Sequence, residues 1–129
     1  MSAIAAHPSA ARLKTIGFWV LKLVLAALFL FAGGAKLAGL PAMVEVFEHV
    51  GLGQWFRYFT GSLELSGAAL LLWPATTALG ALILTIVSIG AAFAQILVLH
   101  EDVIHAIVLA VPLAAIAWTQ RNQLRLRRD

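Results

Sequence analysis

From Ala75 to Leu99 the chain runs 25 residues without a charged side chain. As a helix at about 1.5 Å per residue, this run extends about 38 Å, enough to cross the roughly 30 Å hydrocarbon core of a bilayer. The remaining sequence has the same character. Of 129 residues, 62% are hydrophobic and 12% charged, with a mean hydropathy of +0.95, against about 45–50% and about 25% in a soluble domain. A water-soluble globule is excluded on that ground. At about 20 residues per crossing, four crossings use about 80 residues and leave too little chain for a second core.

The expected architecture is therefore a single all-α membrane domain, a four-transmembrane-helix bundle with a short interfacial helix between helices one and two. Residues 1–14 read as a flexible basic tail with Arg12 and Lys14. Helices are expected at about 15–37, 56–73, 75–99 and 103–119, followed by a basic tail over 120–129. A basic tail before an apolar run also resembles a secretory signal. Ile16 to Ala35 exceeds the roughly 7–15 residues of such a signal's apolar region, which favours an uncleaved first helix.

Segment 41–54 changes to mixed polarity. Met43, Val46, Phe47 and Val50 recur at helical spacing, Pro41 suits a first helical turn, and Glu45, Glu48 and His49 lie largely elsewhere. Such a segment belongs at the interface. Pro112 within the last span predicts a kinked or shallow helix. The tails carry Arg12, Lys14, Arg121, Arg125, Arg127 and Arg128, whereas the opposite loops carry Glu45, Glu48, Glu101 and Asp102. This asymmetry predicts a cell (inner) membrane protein with both termini cytoplasmic.

Charges near mid-membrane cost about 2.5–3.5 kcal/mol on insertion scales, so each demands a reason. Helical rise places Lys36 at the outer end of helix one and Glu64 about 12 Å below the same surface. Arg57, Gln95, His100 and His105 fall at neighbouring levels on helices two, three and four. These six residues form a candidate outer-half polar layer for ligand binding, in which Lys36 bends inward to pair with Glu64. The structural alternative is a packing seam with Glu64 as polar glue, since Gly61, Glu64 and Ala68 share one helical face. Gly33, Gly61, Gly67 and Ser88 are the expected helix-packing positions. On helix three, Thr85, Ser88, Ala92 and Gln95 form a bundle-facing polar stripe. Lys22 is expected to snorkel at the cytoplasmic edge.

Without cysteine, disulfides, thiolate metal sites and thiol redox chemistry are excluded. His7 and His49 fall outside the spans, and His100 and His105 do not share a helical face, so neither metal nor haem is expected. Gly33-Gly34 lacks the spacing of a phosphate loop. The concentration of basic residues in the tails points to topology rather than nucleic-acid binding.

Phe31-Ala32-Gly33-Gly34-Ala35-Lys36-Leu37, Gly61-Ser62-Leu63-Glu64-Leu65-Ser66-Gly67 and Gly80-Ala81 occur in an order that resembles the DoxX and DoxX-like family of small integral membrane proteins. The resemblance spans about residues 16–118 and implies a four-helix membrane bundle. Some relatives act as small subunits of quinone-linked oxidoreductases or with partners in oxidative-stress defence. By position, Lys36 and Glu64 are the charged members of the family-like motifs and Gly33, Gly61 and Gly67 the small ones. Gln95 and His100 do not come from the resemblance. No thiosulfate-handling or flavin-binding segment accompanies them, so an accessory subunit is expected rather than a complete enzyme.

The leading expectation is a membrane subunit whose polar-headed, apolar-walled pocket takes a quinone or another lipid-like molecule, beside a soluble or membrane redox partner. One alternative is an assembly protein with no small-molecule ligand, including a homo-oligomer. A further alternative is a small proton-coupled transporter using Glu64, although no inverted repeat supports alternating access.

Overall fold

A computed structural model describes residues 9–99 and 103–124. Among the described residues the chain is all-helical, with five α-helices and no strand: α1 (Ala10–Ala38), α2 (Pro41–Val50), α3 (Trp55–Leu72), α4 (Thr77–Ala94) and α5 (Ile104–Thr119). A 3-10 turn, Pro74–Thr76, precedes α4, and a π-helical turn, Gln95–Leu99, extends it. Two stretches, Ala10–Ala38 and Pro74–Leu99, are long and apolar enough to cross a membrane. α3 carries Arg57 and Glu64, and α5 is a shorter apolar helix of 16 residues.

Several boundaries depart from the sequence expectation. α1 begins at Ala10, inside the stretch expected to be a flexible tail, because Ser9 Oγ accepts from the Arg12 backbone N–H and caps the helix. The interfacial segment is helical only to Val50, where Gly51 ends it at φ 82°. α5 continues through Pro112. Lys22 is covered, with its stem bent one turn toward the N-terminal end of α1 and its ammonium 3.7 Å from the Trp19 ring centroid. Desolvation makes that contact worth up to about 2 kcal/mol.

The uncharged turn between α3 and α4 ties off its own polar groups. Thr76 and Thr77 hydroxyls donate to the Leu70 and Leu71 carbonyls at 2.8 and 3.1 Å, meeting acceptors orphaned at the end of α3. Gln123 performs the reciprocal task at the start of α4. Its Oε1 accepts from Ala78 N–H and its Nε2 donates to the Pro74 carbonyl, which ties the end of the described chain to this turn.

Packing divides the molecule into a solid half and a hollow half. Leu25, Ala26 and Phe29 of α1 meet Ala68 and Leu71 of α3, Ala81 and Leu84 of α4, and Leu113 and Ile116 of α5 in one buried core. At the other end α2 packs against α3 and the π-helical turn. Small residues set the close crossings. A Cβ on Gly33 would lie 2.9 Å from the Gly61 carbonyl oxygen, and one on Gly61 would lie 3.1 Å from that of Gly33. α1 and α3 can approach this closely only because neither position has a side chain. Phe31, Trp55, Leu97, Val111 and Trp118 remain largely exposed, a belt of apolar surface that marks a non-aqueous surrounding.

Candidate functional site

The C-terminal end of α1 and the middle of α3 meet directly beside the Gly33–Gly61 crossing. Lys36 Nζ lies 2.8 Å from Glu64 Oε1, with the two side chains 14% and 4% exposed. The close approach of the helices brings the Lys36 ammonium to a carboxylate on the neighbouring helix. Removed from water, the pair gains from charge-assisted hydrogen bonding that exposed pairs largely lose. The other carboxylate oxygen, Glu64 Oε2, is buried without a hydrogen-bond partner.

Arg57 approaches the same end of α1 from behind. Its Nη1 donates to the Lys36 backbone carbonyl, and its Nε donates to Gln54 Oε1 at 2.7 Å. Gln54 Nε2 in turn donates to the Val44 carbonyl of α2 at 3.2 Å. A cation at the C-terminal end of α1 also opposes the helix dipole favourably. This relay holds α2 against the end of α1 through one guanidinium. Arg57→Met should therefore loosen α2 first, at a cost of about 1.5–3 kcal/mol for the lost charged hydrogen bonds. Hydrogen exchange across residues 41–50 should accelerate while the amides of α4 keep their protection; uniform acceleration throughout the chain would contradict this role.

Between α2, α3, α4 and the first turn of α5 lies a cavity of about 530 Å³. Met43, Val46, Phe47 and Val50, the apolar stripe of α2, form its roof, and Phe59 and Val87 belong to its apolar walls. Lys36, Thr60, Glu64, Gln95 and His105 supply its polar lining. Gln95 opens the π-helical turn, and its Nε2 donates to His105 Nε2 at 2.8 Å. Gln95 Oε1 is buried and unpartnered, as Glu64 Oε2 is. Such groups are uncommon and point to a missing polar contact.

The six-residue layer expected from sequence is thus divided. Lys36, Glu64, Gln95 and His105 line one cavity, whereas Arg57 does not line it and instead serves the end of α1. His100 lies outside the described residues. Ser88 is buried facing a smaller groove with Ala92, Ala106 and Ala110, away from the cavity. Gly67 packs against Leu84, which would lie 2.7 Å from an added Cβ. Sequence reasoning missed the roof: the stripe on α2 was legible, but it covers a cavity instead of meeting only the headgroup region. It also missed the π-helical turn, for which neither glycine nor proline gives a cue.

The DoxX-like family model matches residues 20–120, which contain every cavity-lining residue. The chain belongs to the DoxX-like family. No match was found among the curated proteins or the solved structures. A DoxX-like chain with two helices able to cross a membrane is a small helical membrane protein.

Proposed function

We propose that this DoxX-like protein binds a lipid-like molecule with a polar head in the cavity beneath α2, serving as the membrane subunit for a redox partner. The observation that carries the reading is the pairing of about 530 Å³ of mainly apolar-walled space with two buried, unpartnered oxygens. Ligand cavities combine apolar walls with a few converging polar groups in this way and span about 300–1,000 Å³. A quinone fits by volume and by its apolar body, and its carbonyl can accept from Lys36. It brings no proton for Glu64 Oε2 or Gln95 Oε1.

The reading includes a four-span bundle in the inner membrane. Arg57 and Glu64, the charged residues of α3, are covered by protein, leaving Tyr58 and Phe59 among its exposed residues. A fourth crossing by α5, a shorter apolar helix, is supported by the 3-10 turn Arg121–Leu124 that follows it. Basic tails place both termini in the cytoplasm. Because the native chain has no cysteine, Leu52→Cys should react with an impermeant maleimide from outside the cell and Ser2→Cys only after lysis. The reverse pattern overturns the orientation.

Occupancy can be tested without disturbing the ion pair. Gly90 lines the cavity, and an added Cβ there meets nothing within 4 Å. Gly90→Phe should fill the space and leave folding intact. Mass spectrometry of gently extracted protein should detect a retained quinone or lipid on the native chain, reduced at least about tenfold in Gly90→Phe. Equal retention, or none on the native chain, counts against the proposal.

A further inference from the structure

We infer that the cavity selects a neutral head bearing a hydroxyl, such as an alkyl phenol or long-chain alcohol, over a carbonyl, ether or charged head. This rests on the ligand-binding reading above and specifies its chemistry. The cavity lining leaves hydrogen bonds unmade at Glu64 and Gln95. Glu64 uses Oε1 for Lys36 and leaves Oε2 unmet. Paired with an ammonium, that carboxylate can only accept. Lys36 has three N–H donors and uses one on Glu64, so it can only donate. A group serving both residues must donate to one and accept from the other. A hydroxyl does both through a single atom.

The competing heads each leave part of this arrangement unmet. A ketone or ether accepts from Lys36 but has no proton for Glu64 Oε2. An ammonium donates to Glu64 but stands against the positive charge of Lys36, and a carboxylate has the opposite conflict. Lys36 and Glu64 cancel each other's charge, so no net field recruits an ion to them. Gln95 reinforces the demand for a donor. Its amide N–H2 is directed to His105 Nε2, while its own oxygen lacks a partner. Thr60, one helical turn before Glu64 on the same face of α3, carries a hydroxyl able to donate or accept and therefore does not discriminate among heads. Arg57, a further cation on α3, has its Nη1 and Nε bonds directed to Lys36 O and Gln54.

The test uses the full chain in lipid nanodiscs and equilibrium dialysis of three matched probes: para-heptylphenol, its methyl ether and para-heptylbenzylamine. Uptake is referred to empty discs, which removes partitioning into lipid. The phenol should bind at least about tenfold more tightly than either competitor, the scale set by leaving a buried charged acceptor unmet. Equal binding of phenol and ether, or preference for the amine, overturns the choice of a hydroxyl while leaving the cavity as a ligand site. Absence of protein-dependent binding by all three overturns both readings. Glu64→Gln supplies a second measure, because its amide oxygen can still accept from Lys36 while N–H2 replaces the unmet acceptor. The preference for phenol over ether should fall to parity; an undiminished preference overturns the assignment to Glu64. If the variant does not assemble, the native-chain comparison decides alone.

Discussion

Gly80→Ala should cost about 3 kcal/mol or more, the upper range for overpacking, and leave little monodisperse protein. A Cβ at this position would lie 2.3 Å from the Leu71 nitrogen and 2.6 Å from the Gly67 carbonyl oxygen. Both contacts are backbone, so no rotamer change relieves them, and α4 must move away from α3. That movement would open the solid half, where Leu71 and Leu84 are fully buried, and would lose their packing as well. Gly90→Ala is the control on the same helix. It enters open space and should be neutral or stabilise by up to about 1 kcal/mol through helix propensity. Thermal unfolding and size-exclusion profiles of the two variants in one detergent measure the contrast. Native-like unfolding of Gly80→Ala would show that α3 and α4 do not cross this closely.

The second large effect belongs to Lys36 and Glu64. Removing one member of a buried ion pair strands the other and costs about 3–5 kcal/mol. The two truncations should nevertheless differ. Lys36→Met leaves a carboxylate whose side chain is only 4% exposed on a short stem, and it should show the full loss. Glu64→Gln leaves an ammonium with 14% exposure on a four-carbon stem that can bend toward the interface, so its loss should be smaller. The double variant Lys36→Met with Glu64→Leu strands neither charge and should recover much of the stability lost by Lys36→Met alone. With Glu64→Leu alone as the fourth corner, a double-mutant cycle from denaturant midpoints in detergent reads the coupling directly. Burial should also make it insensitive to added salt. Additive losses in the cycle would show that the residues act independently.

The cavity and the ion pair depend on one geometric choice. Gly33 and Gly61 bring α1 and α3 together at the level where Lys36 reaches Glu64, while α2 holds the roof over the space beyond. Arg57 couples these parts, since its guanidinium joins the end of α1 to Gln54 and, through it, to α2. The cavity and the fastening of its roof are therefore adjacent but separate, and Arg57→Met and Gly90→Phe should affect different observables.

Sequence alone determined the local features: a predominantly apolar chain, helices broken at Gly39, Gly51 and Trp73-Pro74, an amphipathic stripe on α2, and two polar residues, Lys36 and Glu64, at neighbouring levels. These follow from a fixed rise per residue and from the need of backbone in hydrocarbon to bond within its own helix. Tertiary structure decided what those residues face. Helix rotation and crossing distance arise from contacts between distant segments, so periodicity could place Arg57 in the same layer but could not show it turning toward the carbonyl of Lys36. Nor could it show the π-helical turn carrying Gln95, or the separation of the four helices beyond the Leu71–Leu84 core into a cavity roofed by Met43 and Phe47. A one-dimensional pattern specifies which face is apolar, whereas the space left between faces is settled only when all the helices pack together.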